Sequence, residues 1–270
     1  MSNVIFGYNN VVELATLTGG TFETNLPRDN LKTDKLAEVA QTTTDATITL
    51  IATFSANQNI GCVALANHNF SADATISINL KNSGGDILES TTGDIAPYID
   101  AYRNSLFCWF FTYNRPSTRS VEITITDTTN ADTYLSAGRL FIGTFFEPTR
   151  NIEYGDASHG RNDLSDTSKS INGVKWHRER QKLRTAAIGL KHLPESEMLA
   201  VDDLMQQCGT TTDVIYAFTR PTYTDVSSVL HQDELSYKLT FLGNLTTLDA
   251  LSNPFFEQYS AQFSVEELAI

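Results

Sequence analysis

Short runs in which β-branched or long aliphatic side chains alternate with small polar ones recur in the first half of this chain. They are Ala46-Thr47-Ile48-Thr49-Leu50, Thr75-Ile76-Ser77-Ile78-Asn79-Leu80 and Val121-Glu122-Ile123-Thr124-Ile125. Successive side chains of a strand point to opposite faces, so a period of two fits strands with one face in a core and one in water, and does not fit a helix. Cys62–Ala66 and Leu106–Phe111 are unbroken apolar runs that suit strands buried on both faces. Ser83-Gly84-Gly85-Asp86 follows one alternating strand, and its glycines supply the positive φ of a tight turn. Several short strands at this spacing predict an all-β sandwich.

The texture changes near residue 150. Asn151 to Ser170, NIEYGDASHGRNDLSDTSKS, is polar and turn-rich and reads as a linker or a long functional loop. Gly173 to Leu193 fits one or two strands. Pro194-Glu195-Ser196-Glu197 then opens a helix, with Pro near its first position, acids in the first turn and Leu193 or a neighbour as cap. Met198, Leu199, Val201, Leu204 and Met205 recur at helical spacing, and Gly209 is the stop. Strands at Asp213–Phe218, Tyr237–Leu242 and Phe255–Val265 close the chain. The expected fold is therefore mainly β: a sandwich over residues 1–150, a linker or loop over 151–170, and an α+β domain with one main helix over 171–270.

Composition narrows the function. A net charge of −13 over 270 residues makes a poor general nucleic-acid binder, because neutralising phosphates needs clustered Lys and Arg. No apolar run reaches the roughly 18–20 residues of a membrane-spanning helix. The N-terminal MSNVIFGYNN has neither the basic nor the apolar region of a secretory signal, so the chain is expected to begin in a cytoplasm. Cys62, Cys108 and Cys208 are odd in number and far apart, which argues against a disulfide framework or a Cys-based zinc site and for a structural role. No phosphate loop, dinucleotide fingerprint, nucleophile elbow or HExxH helix is present, and none of the five histidines lies at ligand spacing from another. The expectation is no enzyme, no metal and no cofactor.

Four segments carry chemistry worth weighing. Asn67-His68-Asn69 could present polar groups to a glycan; it also reads as a turn after a buried strand. Asp156, His159, Asp163 and Asp166 could suggest a hydrolase or metal site, but they lack the alternating ligands of a calcium loop and fit a solvated linker better. Cys108-Trp109-Phe110-Phe111, followed by Thr112-Tyr113, could be a sugar platform, although an aromatic run inside a strand is more often core. Lys175, Arg178, Arg180, Lys182 and Arg184 put five positive charges in ten positions of an acidic chain. On one strand, the last four would share a face and meet an acidic surface of a neighbouring subunit, a better match than nucleic acid.

Three stretches of the first half resemble the galactose-binding-like, or discoidin-like, sandwich: Leu26-Pro27-Arg28-Asp29-Asn30-Leu31 leading to the strand at Thr47–Ile51; Ile60 to Asn69 as a central strand and its loop; and Ser120–Ile125 with Tyr134–Gly143 as closing strands. The whole chain, over nearly all of residues 3–250, also resembles a family of tailed-bacteriophage minor tail proteins. These pair an Ala64-Leu65-Ala66-Asn67-His68-Asn69-type strand with Gly138-Arg139-Leu140-Phe141-Ile142-Gly143. Then follow Pro148, Arg150-Asn151-Ile152-Glu153-Tyr154-Gly155, a polar segment and a Gly173-Val174-Lys175 strand. The resemblance implies a virion structural protein: a distal-tail or baseplate ring component, made in the host bacterial cytoplasm and built into the tail. There it would contact copies of itself and the tube, hub and fibre proteins, in tail assembly and host attachment. The alternative is a carbohydrate-binding module that holds host-surface glycans.

Overall fold

The structure, a computed structural model, describes residues 3–44, 47–71, 73–94, 105–153, 155–220 and 238–270. The chain is mainly β. Its first half holds β1 (Ile5–Tyr8), β2 (Ala15–Thr18), β3 (Ala40–Gln41), β4 (Thr47–Ala66), β5 (Thr75–Lys81), β6 (Ile87–Asp94), β7 (Leu106–Thr126), β8 (Ser136–Ala137) and β9 (Arg139–Phe146). The period-two runs became strands: in β5 every second residue, Ile76, Ile78 and Leu80, is fully buried.

Two long strands organise this half. β4 and β7 pair antiparallel along their lengths, and the register shifts between Thr53 and Cys62. The N-terminal part of β4 pairs with the C-terminal part of β7, beside β2 and β5; the C-terminal part of β4 pairs with the start of β7 and with β9. Ile48, Leu50 and Phe54 from one part and Val63 and Leu65 from the other enter the same core. The shifted stretch thus marks where the ladder folds over on itself, as bulges allow, and the result is a sandwich.

The second half holds β10 (Ala157–Asp163), β11 (Asp166–Lys169), β12 (Lys175–Arg178), β13 (Lys182–Leu193), α1 (Glu195–Cys208), β14 (Val214–Ala217), β15 (Thr240–Leu248), β16 (Ser252–Phe255) and β17 (Gln258–Glu267). Pro194, in extended conformation, is the helix cap and makes no side-chain capping bond; Gly209, at φ 53, ends the helix, with its N–H on the Met205 carbonyl. The apolar stripe Val201, Leu204, Met205 and Cys208 covers one face of the sheet formed by β13, β14, β15 and β17. Three sequence expectations shift. The strand expected at Tyr237–Leu242 begins at Thr240 in the described residues, and residues 221–237 lie outside them. Phe255–Val265 is a hairpin, β16 and β17, turning at Phe256 and Glu257. Residues 151–170, read as a linker or loop, contain β10 and β11: Ser158, Gly160 and Asn162 carry no apolar signal, yet their backbone pairs with β13.

The halves share one sheet. β1 lies between β9 and β14, so the order runs β10-β13-β17-β15-β14-β1-β9-β4-β7-β5-β6. Alternate residues of β1 serve different cores. Val4 and Phe6 pack with α1 and the second half, while Ile5 joins Cys62, Phe141, Ile215 and Leu242 on the opposite face. Gly138, just before β9, and Gly143, within it, are both crowded by backbone. A Cβ on Gly138 would stand 2.2 Å from the Leu36 carbonyl, and one on Gly143 2.4 Å from the Tyr8 carbonyl.

Candidate functional site

Among the described residues, β11 and β12 are exposed along their whole length and form a hairpin arm. β10 and β13 pair from Ala157↔Ile188 to Asp163↔Lys182, and the ladder then continues beyond the sheet as β11 and β12, from Asp166↔Arg178 to Lys169↔Lys175. The Leu164 N–H on the Gln181 carbonyl (3.3 Å) and the Arg180 N–H on Ser165 Oγ (3.0 Å) bridge the two stretches. The Ser170 N–H on the Val174 carbonyl (2.9 Å) and Gly173 at φ 81 close the tip. At about 3.3 Å per residue the arm extends roughly 25–30 Å past the β10–β13 ladder.

Every residue from 166 to 180 is exposed. Cross-strand partners share a face, so Trp176, Ser168, Arg178 and Asp166 line one side, and Lys169, Lys175, Thr167 and His177 the other. Trp176 is 66% exposed, Val174 53%, and Ile171 at the tip fully so. Arg180 pairs with Asp166 at 2.7 Å, and Thr167 Oγ1 lies 3.0 Å from His177 Nδ1. Among the described residues Lys169, Lys175 and Arg178 have no ion pair. A two-stranded hairpin alone is marginal in water. This one carries three exposed apolar side chains, with Arg178 on the same face as Trp176 and with Lys169 and Lys175 on the other.

The expectation that the five basic residues act together is corrected. They do not lie on one strand: β12 ends at Arg178, and β13 begins at Lys182. Lys182 stands 3.6 Å from Glu179. Arg184 is buried at the root of the arm. Its guanidinium contacts Glu267 Oε1 at 2.5 Å and the Thr240 carbonyl at 2.9 Å, and it lies over the Phe241 ring at 5.3 Å. Lys175, Arg178 and Arg180 remain on the arm; Arg184 is a core ion pair that the sequence did not distinguish from its neighbours.

The Asn67-His68-Asn69 loop is tied inward. Asn67 takes φ 53 and donates Nδ2 to the Leu36 carbonyl at 2.7 Å. His68 is buried and stacks on Phe70 with centroids 4.5 Å apart; Nδ1 accepts the Phe70 N–H at 3.3 Å, and burial pushes its pKa down to about 3. Asn69 donates to Asp132 Oδ2 (2.9 Å) and the Tyr134 carbonyl (3.0 Å) and accepts the Ser136 N–H (2.8 Å). As a glycan-facing residue His68 is corrected: its ring belongs to the core, and the loop's side-chain amides are committed to the chain itself.

The acidic and histidine residues of 156–166 do not converge. Asp156 meets Lys191 at 2.6 Å, Asp163 accepts the Ser165 N–H at 2.9 Å, and His159 Nε2 lies 2.8 Å from the Tyr216 hydroxyl. No three His, Cys, Asp or Glu side chains among the described residues are grouped to hold a metal. Cys108, Phe110 and Phe111 are buried and Trp109 partly so; the three cysteines are buried free thiols. Tyr113, which follows this run, is exposed. Arg115 lies over its ring at 5.4 Å and is held by Glu89 at 2.7 Å.

No family model matches the chain, and no curated protein matches it. Among solved structures it is similar to the lectin domain of lectinolysin complexed with Lewis B antigen (15% identity, TM-score 0.40, covering 51% of this chain and 98% of that one). It is also similar to the CBM32 of AlyQ in complex with 4,5-unsaturated mannuronic acid (20% identity, TM-score 0.38, 50% of this chain and 96% of that one). A fucose binding module of Streptococcus pneumoniae is similar too, at 11% identity and TM-score 0.39, covering 50% of this chain and 94% of that one.

Proposed function

We propose that this chain is a non-enzymatic subunit of a repeating assembly, a distal-tail or baseplate ring component of a bacteriophage tail tip. The observation that carries the assembly reading is the β11–β12 arm, which places Ile171, Val174 and Trp176 in water beside Lys169, Lys175 and Arg178. Central aromatic anchors with Arg beside them dominate protein–protein contacts, and the cations set register and rate of encounter more than affinity. The tail assignment adds the sequence resemblance over residues 3–250. Light scattering on the full chain tests the first part: a mass that rises with concentration to a fixed multiple supports it. A single-chain mass at every concentration overturns self-assembly. Tails assembled in the host with an Ile171→Ser/Trp176→Ser chain, and carrying it at normal level, overturn the arm's role in the tail.

A second reading is a carbohydrate-binding module. The exposed Tyr113 ring with Arg115 and Glu89 beside it favours this reading, because a sugar's apolar face stacks on an aromatic ring while its hydroxyls meet charged groups. Glycan-array binding that is lost in Tyr113→Ala supports it; an array with no signal overturns it.

A further inference from the structure

We infer that Asn172, at the tip of the arm, is a site of spontaneous deamidation that adds a negative charge to the arm as the protein ages. Asn172-Gly173 is the only Asn-Gly pair in the sequence. Ile171, Asn172 and Gly173 form a three-residue loop: the Ser170 N–H donates to the Val174 carbonyl and the Gly173 N–H to the Ser170 carbonyl, both at 2.9 Å. A loop of this kind ends on a residue in the left-handed conformation, and Gly173 takes φ 81. The turn therefore selects a glycine directly after Asn172.

That glycine is also what the chemistry needs. The Gly173 backbone nitrogen, once hydroxide has taken its proton, attacks Cγ of Asn172. The new N–C bond closes a succinimide, the Cγ–Nδ2 bond breaks, and the amide nitrogen leaves as ammonia. Solvent water then opens the ring at either carbonyl and gives aspartate or isoaspartate. Gly173 has no Cβ to shield its nitrogen, and the place a Cβ would fill meets only Lys169 Cε within 4 Å, at 3.8 Å. Asn172 is exposed, and among the described residues its side chain makes no hydrogen bond, so the amide can turn toward that nitrogen. The bond that must open first, Gly173 N–H to Ser170, belongs to a two-stranded ladder outside the sheet, whose tip opens at little cost. Asn82 is the opposite case. Ser83 follows it, its Oδ1 accepts the N–H of Gly84 at 2.8 Å and of Asp86 at 3.0 Å, and its Nδ2 donates to Asp86 Oδ2 at 3.0 Å. The new carboxylate at the tip would stand next to Lys169 and Lys175, the last cross-strand pair of the arm, and isoaspartate would lengthen the loop backbone by a methylene. This chemistry does not depend on what the arm contacts.

The test keeps the full-length chain in mildly alkaline buffer, with and without guanidinium chloride, and follows it by peptide mapping and isoelectric focusing. Without denaturant, Asn172 should be lost to aspartate and isoaspartate while Asn82 persists. An acidic species should accumulate in the parent and not in Asn172→Gln, whose longer side chain closes the ring far less readily and leaves the exposed turn as it is. Asn172 that persists without denaturant as long as Asn82 overturns the inference; loss confined to the denatured chain would show that the folded turn shields its nitrogen. An acidic species that forms as fast in Asn172→Gln as in the parent also overturns it, since the labile amide then lies elsewhere.

Discussion

Arg139 and Asp213 lie 74 residues apart and meet as a two-point ion pair inside the protein, Nε to Oδ2 at 3.0 Å and Nη2 to Oδ1 at 3.2 Å. Arg139 opens β9 of the sandwich, and Asp213 immediately precedes β14 of the second half. Asn10 donates to the same carboxylate at 3.1 Å, so the segments following β1, leading into β9 and leading into β14 are tied at one point. Removing one partner of a buried pair leaves an uncompensated charge. Asp213→Ala should therefore cost about 3–5 kcal/mol in urea unfolding. A loss under about 1 kcal/mol would mean that Glu13 and Asp34, each 3.8 Å from the guanidinium, suffice.

The shared sheet also predicts how the protein behaves when cut. Trypsin should cleave first in the arm, at Lys169, Lys175 or Arg178, which are exposed and lie outside the sheet. The pieces should separate on a denaturing gel yet migrate together on a native one, because β1 pairs with β14 and β10 with β13 across the cut. Pieces that part under native conditions would instead support a sandwich over residues 1–150 that stands alone.

His68 sets a pH dependence. Burial holds its pKa near 3, below the ordinary 6.5, so the unfolded chain binds the proton and the folded chain does not between those values. Its contribution is fully present above about pH 6.5 and is lost as pH falls toward 3, with a slope of at most about 1.4 kcal/mol per pH unit. His68→Phe keeps a ring to stack on Phe70 and removes the titration. The difference in unfolding free energy between parent and variant should shrink or reverse from pH 7 to pH 4; a difference that stays constant would show that the ring is already protonated or solvated.

Gly143→Ala should open the seam between β1 and β9. The new Cβ would meet the Tyr8 carbonyl at 2.4 Å and the Asn9 carbonyl at 2.8 Å, backbone atoms that cannot swing aside. A loss of about 1–3 kcal/mol is expected, as for overpacked sites. Gly84→Ala, whose nearest neighbours are 3.2 Å or further, is the control, and its midpoint should stay within about 0.5 kcal/mol of the parent.

By itself the sequence determined the class of the fold. Ile76, Ile78 and Leu80 alternate with polar residues, and alternation with burial is a local property of a strand, readable without knowing its partner. The helix was legible for the same reason: its apolar spacing and its Pro and Gly boundaries are all contained in α1 and its caps. Pairing partners are not local. β10 has no apolar signature because it is an edge strand exposed along its length, and only the backbone of β13 makes it a strand. Nor could spacing say that Arg184 faces Glu267 in the core while Arg178, six residues earlier, stands in water, since the ladder leaves the sheet between them. What made β1 the bridge between the halves was likewise tertiary: nothing local in the four residues Ile5 to Tyr8 marks them out, and only β9 and β14 on their two edges give them that place.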